Sequence, residues 1–390
     1  MTQKRILVRG VNWLGDAVMT MPALCRLREA YPDAHIALLT PEKLADLWRA
    51  HPAVDDVLTL VPGESRWEVA QRIRAGQFDT GLLFPTSLRS ALELWLAGVP
   101  TRIGYGGQGR TLLLTRASPL PPGVCRTHKY STSEVRRALR SSALERMPDA
   151  RHHIHRYLGL TAALGASPEP LAPQIDVPAE DAQAMAARLG LTARDGDRPL
   201  FGLNPGAGHG PAKRWPPERF IAAASELQRR TDCRWVIFGG SDEREQAGRI
   251  AAAIQENGDR HCPERRGSPV VWNMAGETSL PELCAALHLC RLLLTNDTGP
   301  MHVAAAVGTP VVAIFGSTSP TQTCPGLPGD PRHILLSAPT ACAPCFRREC
   351  PIDFRCMTAV TVPQVVHAVQ ALFQRQHASL EFLSPSRANC

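Results

Sequence analysis

The chain has 390 residues, of which 44% are hydrophobic and 20% charged, a composition typical of a globular protein with two domains and not of a membrane-spanning one. Its net charge of +7 lies wholly in the first part, because residues 1–170 carry 22 Lys and Arg against 15 Asp and Glu, whereas residues 171–390 carry 21 of each. This asymmetry favours an anionic partner, either a phosphorylated substrate or a membrane surface. The alternative is a basic face that contacts only solvent. Nucleic acid is disfavoured as a partner, because only 5% of the residues are aromatic and no recognised binding motif is present.

The beginning of the chain predicts a strand followed by a glycine-containing turn and a helix. Its apolar stretch is interrupted by Arg9, Asn12 and Asp16, so it does not resemble a signal peptide. No apolar run anywhere approaches the roughly 18 residues that a membrane span needs. We therefore expect a cytoplasmic protein.

Strand and helix signals alternate along the chain. "RILVRG", "AHIALLT" and "DTGLLFP" each precede a helical pattern, which predicts βαβ units and a parallel sheet. Residues 119–150 break the rhythm, and part of this segment, rich in Pro, Arg and Ser, is expected to be a mobile basic loop. The proline-rich residues 167–178 predict a linker, after which the alternation restarts.

This pattern predicts an α/β fold of two doubly wound, Rossmann-like domains. We place them at 1–172 and 173–376 and expect a disordered tail over 377–390. Two such domains would face a central cleft, where parallel sheets bind ligands at the carboxyl ends of their strands.

The first candidate site follows the first strand. "GVNWLG", residues 10–15, has the glycine spacing of a P-loop, but Asp16 and Ala17 replace the Lys and Ser/Thr that hold phosphate and Mg²⁺. An Asp at this position can serve as a general base toward a hydroxyl nucleophile. The alternative is plain helix capping, in which the carboxylate satisfies free N–H groups.

The second candidate site is "LNPGAGHGPAKRWPPERF", residues 203–220. A glycine-rich loop containing Gly206 and Gly208 delivers Lys213 and Arg214 to the start of a helix. Flexible glycines, two cations and a helix N-terminus suit a diphosphate, and Lys213 would neutralise charge on a leaving group. The alternative is a surface loop with two solvated cations.

The third candidate site is "LLLTNDTGPMHVAAAVGTPVVAIFG", residues 292–316. Asp297, Thr298 and Gly299 follow a buried strand, and His302 lies one turn into the next helix, either at the site or as a structural residue. "FGGSDE" and "AGETSL" end strands at the same expected edge and would hold a nucleotide base and ribose. The candidates in these two loops are Gly239, Ser241 and Thr278.

Four of the twelve cysteines are clustered in "CAPCFRRECPIDFRC". Their density is typical of a structural zinc site, although the spacing is not that of a standard zinc knuckle. The alternative is a set of reduced or redox-labile thiols. These residues, to which no catalytic role is assigned, are Cys342, Cys345, Cys350 and Cys356.

The motifs "NWLGDAVMTMPAL", "NPGAGHGPAKRWP" and "TNDTGPMHVAAAVGTPVVAIFG" together resemble the ADP-heptose:lipopolysaccharide heptosyltransferases, above all the heptosyltransferase II subgroup. The similarity extends over about residues 5–375. It implies a GT-B glycosyltransferase fold, with an N-terminal acceptor domain and a C-terminal ADP-heptose domain. It also implies an inverting transferase that requires no cofactor for catalysis.

The resemblance assigns roles to individual residues. Asp16 matches the catalytic base, Lys213 matches the lysine at the donor phosphates, and the turn containing Asp297 matches the one that binds heptose and diphosphate. The implied partners are ADP-heptose, a heptose of the lipopolysaccharide inner core as acceptor, and the anionic inner face of the inner membrane by peripheral contact, without nucleic acid.

Two alternatives to this function stay open. One is another core heptosyltransferase, or a related transferase that uses a different nucleotide sugar. The other is a catalytically silent nucleotide-sugar-binding scaffold in envelope biogenesis, against which the presence of Asp16 argues. A nicotinamide oxidoreductase is disfavoured because G-x-G-x-x-G is missing.

Overall fold

A computed structural model of the chain describes residues 3–107, 109–140, 150–191, 198–262 and 269–383. The chain divides into two compact units. The first unit comprises Met1–Arg126 and Pro148–Ile175, and the second unit comprises Thr127–Met147 and Asp176–Cys390. None of the described helices combines the length and the apolar character that crossing a membrane requires.

The first unit is built on a sheet of six parallel strands. These strands are β1 (Arg5–Arg9), β2 (His35–Pro41), β3 (Asp56–Leu60), β4 (Thr80–Leu83), β5 (Thr101–Tyr105) and β6 (Arg116–Ser118). Their order in the sheet is β3-β2-β1-β4-β5-β6, with β1 at the centre. Because β1 and β2 are buried almost throughout, their sequences are continuous apolar runs.

Helices cover this sheet on both faces. They are α1 (Leu14–Ala30), α2 (Arg66–Ala75), α3 (Leu88–Leu96) and, after a further helix α4 (Thr132–Arg140) that groups with the second unit, α5 (Ile154–Ala162). α1 packs against α5, and α2 packs against α3. A capping box starts α2, in which the Ser65 hydroxyl accepts from the Glu68 N–H and the Glu68 carboxylate accepts from the Ser65 N–H.

The second unit contains another sheet of six parallel strands. They are β7 (Leu200–Asn204), β8 (Arg234–Ile237), β9 (Val271–Asn273), β10 (Leu292–Asn296), β11 (Val311–Phe315) and β12 (His333–Ser337). Their order is β12-β11-β10-β7-β8-β9, which is the order of the first sheet when the strands are numbered within each unit. Both sheets therefore have the strand order of dinucleotide-binding domains. In each sheet this order reverses beside the strand that comes first in the unit.

Nine helices are described in the second unit: α4, then α6 (Ala179–Arg188), α7 (Pro217–Thr231), α8 (Arg244–His261), α9 (Leu280–Leu289), α10 (Gly299–Ala306), α11 (Pro320–Thr323), α12 (Arg355–Thr358) and α13 (Val362–Leu383). α13 packs against α7, and their apolar faces join the core below β7 and β10. This last helix runs past His377, where the sequence analysis starts the tail, and residues 384–390 lie outside the described residues.

Part of the basic segment 119–150 is regular and not a loop. Ser131 and Glu134 form reciprocal bonds at the start of α4, since the Ser131 N–H donates to the Glu134 carboxylate and the Glu134 N–H donates to the Ser131 hydroxyl. The S-x-x-E pattern in the sequence is a known signal for the start of a helix. Residues 141–149 lie outside the described residues.

Candidate functional site

The second sheet reverses its strand order between β7 and β10, and buried polar side chains join the ends of these two strands. Asn204, the last residue of β7, donates from Nδ2 to the hydroxyl of Thr298 at 2.7 Å and to that of Thr295 at 3.2 Å. Neighbouring parallel strands that lead away to opposite sides leave a crevice at this point. These hydrogen bonds hold the ends of β7 and β10 together at the edge of that crevice.

Asn296, the last residue of β10, holds the loop that follows β7. Its amide donates to the carbonyl of Pro205 at 2.8 Å, and its Oδ1 accepts from the N–H of Trp215 at 3.0 Å. Both the side chain of Asn296 and the indole of Trp215 are fully buried. The loop of residues 205–215 is therefore fastened at both ends to one side chain.

Lys213 and Asp297 form a largely buried ion pair at this edge. The Lys213 Nζ lies 2.7 Å from the Asp297 Oδ2, and the two side chains are 14% and 4% exposed. The hydroxyl of Thr318, just after β11, donates to the same Oδ2 at 2.5 Å. Although burial pushes the pKa of Asp297 upward, Lys213 and Thr318 together hold it below its usual value, so the carboxylate is ionised at neutral pH.

Glu243 connects two of the predicted loops. Its carboxylate accepts from the N–H of Ala207 at 2.8 Å and from that of Gly240 at 3.0 Å. A Cβ on Gly206 would lie 2.1 Å from this carboxylate, which explains the glycine there. Arg214 reaches the same group, with its Nη2 3.4 Å from the Glu243 Oε1. Arg214 is thus partly neutralised, and the loops after β7 and β8 form one surface.

The loop that carries Lys213 is surrounded by positive charge. Burial lowers the pKa of His209, and the neighbouring cations Lys213 and Arg348 lower it further. The Arg348 Nε donates to the His209 carbonyl at 2.6 Å, and the Arg348 carbonyl accepts from the Ala212 N–H at 3.0 Å. Cations beside this loop suit a phosphate group.

The remaining residues predicted to bind the donor all follow strands β7 to β10 at the same edge of the sheet. Gly299 is the first residue of α10, and His302 is a buried residue one turn later whose charge helps to lower the pKa of Asp297. Thr278 is half-buried directly before Ser279, which caps α9. The others, in the loops after β7 and β8, are Gly208, Gly239 and Ser241.

In the first unit, Asp16 is the third residue of α1 and not its cap. The cap position is Trp13, which makes no side-chain capping bond. The phenol of Tyr157, on α5, donates to the Asp16 Oδ1 at 3.2 Å. Burial, reinforced by the Asp16 charge, raises the pKa of Tyr157 far above its usual value, so this phenol stays protonated. Asp16 therefore lies in the first turn of α1 with one carboxylate oxygen bonded to the Tyr157 phenol, and its role as a base stays a prediction.

A buried ion pair supports the turn before Asp16. The Arg9 Nε lies 3.1 Å from the Glu93 Oε2, and the two side chains are 5% and 0% exposed. The Arg9 Nη1 also donates to the carbonyl of Gly10 at 2.5 Å. Burial lowers the pKa of Arg9 while Glu93 opposes the shift. The pair ties the end of β1 and its turn to α3.

Sequence reasoning missed several of these contacts. Thr318 follows β11, so the rule that polar residues at strand ends line a site could have identified it. Glu243 lies inside the "FGGSDE" segment that was singled out. Tyr157 had no signal, because it lies 141 residues from Asp16 on a helix whose pattern is that of any core-packed helix.

The four clustered cysteines are not joined by disulfides, and all four are free thiols. Burial raises the pKa of Cys342 and Cys345, and it raises that of Cys356 to about 12. Within the described part of the chain, no three His, Cys, Asp or Glu side chains are arranged to hold a metal ion. A zinc site is therefore not shown among the described residues.

Comparison with known proteins assigns the chain to a family. The profile of glycosyltransferase family 9 (heptosyltransferase) matches residues 115–354. The chain belongs to this family. It is 30% identical over 328 residues to lipopolysaccharide heptosyltransferase 2 of Salmonella typhimurium, a match that covers 82% of this chain and 85% of the relative.

Solved structures of the family share the fold. The structure of E. coli ADP-heptose LPS heptosyltransferase II superposes with a TM-score of 0.74 and 26% identity, covering 96% of this chain and 99% of that one. A family 9 glycosyltransferase of Veillonella parvula gives 0.70 and 25%, covering 95% and 97%. The predicted GT-B fold and the predicted family are confirmed, and this family 9 member is a glycosyltransferase.

Proposed function

We propose that this glycosyltransferase moves L-glycero-D-manno-heptose from ADP-heptose to a heptose of the lipopolysaccharide inner core, as a heptosyltransferase of type II. The observation that carries the proposal is the cluster of Lys213, Asp297 and Thr318 at the strand reversal of the second sheet. Sequence similarity to lipopolysaccharide heptosyltransferase 2 over most of the chain supports the choice of sugar and acceptor.

The second unit binds the donor in this proposal. The diphosphate lies at the loop of residues 205–213 and at the N-terminus of α10, where Lys213, Arg214 and the free N–H groups of Thr298 and Gly299 offset its charge. Asp297 accepts bonds from heptose hydroxyls while Lys213 and Thr318 keep it ionised. The loops after β8 and β9 hold the adenosine, through Gly239, Ser241 and Thr278.

The first unit supplies the base. Asp16 accepts the proton of the acceptor hydroxyl as that oxygen attacks the anomeric carbon of the donor. The carbon–oxygen bond to the diphosphate breaks, ADP leaves with the electron pair, and attack from the opposite face inverts the anomeric centre. Tyr157 keeps the Asp16 carboxylate oriented through the 3.2 Å hydrogen bond.

Location and membrane contact belong to the same proposal. The acceptor is anchored in a membrane, and the excess of basic residues in the first part of the chain suits an anionic surface. We propose that the protein works in the cytoplasm, in peripheral contact with the inner face of the inner membrane.

The test is a transfer assay with ADP-heptose and an inner-core acceptor that carries one heptose. ADP release and acceptor mass are followed for the wild type, for Asp16→Asn and for Glu29→Gln, an exposed carboxylate at the far end of the same helix. We expect a gain of one heptose, with turnover lowered about 10²- to 10⁴-fold in Asp16→Asn and unchanged in Glu29→Gln.

Each other outcome would contradict one part of the proposal. Binding of ADP-heptose without a gain of mass by this acceptor, but with one by another core acceptor, indicates another core heptosyltransferase. Turnover with a different nucleotide sugar overturns the donor. Binding without turnover on any acceptor supports the scaffold, and full activity of Asp16→Asn removes Asp16 as the base.

A further inference from the structure

Large apolar side chains are exposed on one layer of the first unit. Trp67 on α2 and Trp95 on α3 are 54% and 48% exposed, and Leu112, in a short helical turn after β5, is 91% exposed. Exposed aromatic and aliphatic side chains that share one surface mark interaction sites. Among the described residues, the large hydrophobic side chains exposed to this extent all lie within residues 13–112.

Two arginines tie these three side chains into one surface. Arg74 of α2 donates to the carbonyls of Leu96 and Ala97 at the end of α3, and its guanidinium lies 5.9 Å from the centre of the Trp67 ring. Trp95 directly precedes those two residues. The end of α2 is thereby fixed to the end of α3.

The second arginine joins the turn that carries Leu112. The Arg102 Nε donates to the carbonyl of Leu113 at 2.7 Å, and its Nη1 donates to the carbonyl of Val99, just after α3, at 2.5 Å. The turn also packs against α3. We call Trp67, Trp95 and Leu112, with Arg74 and Arg102, the Trp–Leu surface.

The charge around the Trp–Leu surface is mostly positive. From residue 64 to residue 126 the chain carries eight arginines against four acids, Glu64, Glu68, Asp79 and Glu93. Glu93 is completely buried and already paired with Arg9 and Arg89, so it presents no negative charge to solvent. Arg74 and Arg102 donate to backbone carbonyls, which carry no net charge, and the Arg74 guanidinium lies beside the exposed Trp67 indole.

We propose that the Trp–Leu surface docks on the anionic face of a lipid bilayer. Tryptophan and leucine side chains insert at the level of the lipid headgroups, and flanking arginines bind the phosphates there. This deepens the proposed function, since docking would bring the enzyme to a membrane-anchored acceptor. The docking itself does not depend on which sugar is transferred.

The test compares the full-length wild type with the triple variant Trp67→Ser, Trp95→Ser, Leu112→Ser. Flotation is measured with vesicles of equimolar phosphatidylcholine and phosphatidylglycerol, and with phosphatidylcholine alone. Arg249→Ser with Arg260→Ser, two exposed arginines on α8 of the second unit, controls for loss of surface charge elsewhere. Thermal unfolding of each variant checks the fold.

We expect the wild type and the arginine control to float with the anionic vesicles, and the triple variant to bind at least about tenfold more weakly. Transfer to an acceptor embedded in vesicles falls in the triple variant, whereas transfer to the same acceptor freed of its acyl chains is unchanged. Docking without transfer to either acceptor would contradict the proposed function but not the proposed docking surface.

Three results overturn the proposal. The first is a wild type that fails to float with anionic vesicles. The second is a folded triple variant that floats as well as the wild type. In the third, sedimentation shows a wild-type dimer that the triple variant abolishes without any change in vesicle binding, in which case the Trp–Leu surface joins two copies of the chain.

Discussion

Replacement of Lys213 by methionine tests the ion pair at the centre of the candidate site. The change removes the ammonium and keeps an unbranched side chain of similar length, while Asp297 stays 4% exposed with a Thr318 hydroxyl as its remaining partner. Removing one partner of a buried pair typically costs about 3–5 kcal/mol, because the other charge is left buried. We expect the variant to lie near the lower end, about 3 kcal/mol, since Lys213 itself is 14% exposed.

The size of this loss depends on pH in a direction that the structure fixes. In the wild type the pKa of Asp297 lies below its unfolded value, so the pair contributes fully above that value, and its contribution is lost as the pH falls through the folded pKa. Without the ammonium, burial raises the pKa of Asp297 above the unfolded value. The difference in stability between variant and wild type is therefore greatest near neutral pH and shrinks toward about pH 4.

Urea unfolding followed by tryptophan fluorescence measures this loss, because Trp215 and Trp235 are buried in the second unit. Lys4→Met, at an exposed lysine, is the control and should stay within about 0.5 kcal/mol of the wild type. Adding Asp297→Asn to Lys213→Met should restore most of the stability, because it removes the stranded charge, but not the transfer activity. A Lys213→Met protein as stable as the wild type at pH 7, or equally destabilised at pH 4, would refute the reasoning.

Two further variants test the surroundings of the site. Tyr157→Phe removes the phenol that donates to Asp16, so turnover should fall about tenfold while affinity for ADP-heptose, measured by calorimetry, stays unchanged; equal losses in both would point to a folding defect. Gly210→Ala places a Cβ 2.5 Å from the Arg348 carbonyl at a φ of +143°, so KM for the donor should rise about tenfold. Gly248→Ala, on α8, whose Cβ would meet only the Asn273 Nδ2 at an ordinary 3.6 Å, should match the wild type, and similar kinetics for both alanine variants would contradict this account.

The sequence was sufficient for the fold, because the central buried strands are apolar runs and most crossovers contain a helical period. It also singled out Lys213 and Asp297 as site candidates, because Asp297 directly follows a central strand and Lys213 lies in the loop after the neighbouring strand; their roles stay predictions. It did not reveal that they pair, because 84 residues separate them and the link exists only in the folded sheet. Tyr157 was beyond reach for the same reason.

The cysteine cluster left structural zinc and reduced thiols open as alternatives. Its density along the chain is typical of a metal site, but ligation requires several sulfur atoms converging on one point as thiolates. The thiols of Cys342, Cys345 and Cys356 are shielded enough for their pKa values to rise. Spacing alone carries no information on burial.

The grouping of residues 127–140 with the second unit affects how family members can be recombined. Tyr130 donates its N–H to the Cys345 carbonyl at 3.1 Å, and its own carbonyl accepts from the Arg347 Nη1 at 2.8 Å. A chimera joined only at the proline-rich segment 167–178 would combine the segment around Tyr130 from one parent with its Cys345 partner from the other. Under the proposal that the first unit holds the acceptor, acceptor specificity should therefore be exchanged between relatives by swapping the first unit while this short segment stays with the parent that provides the second.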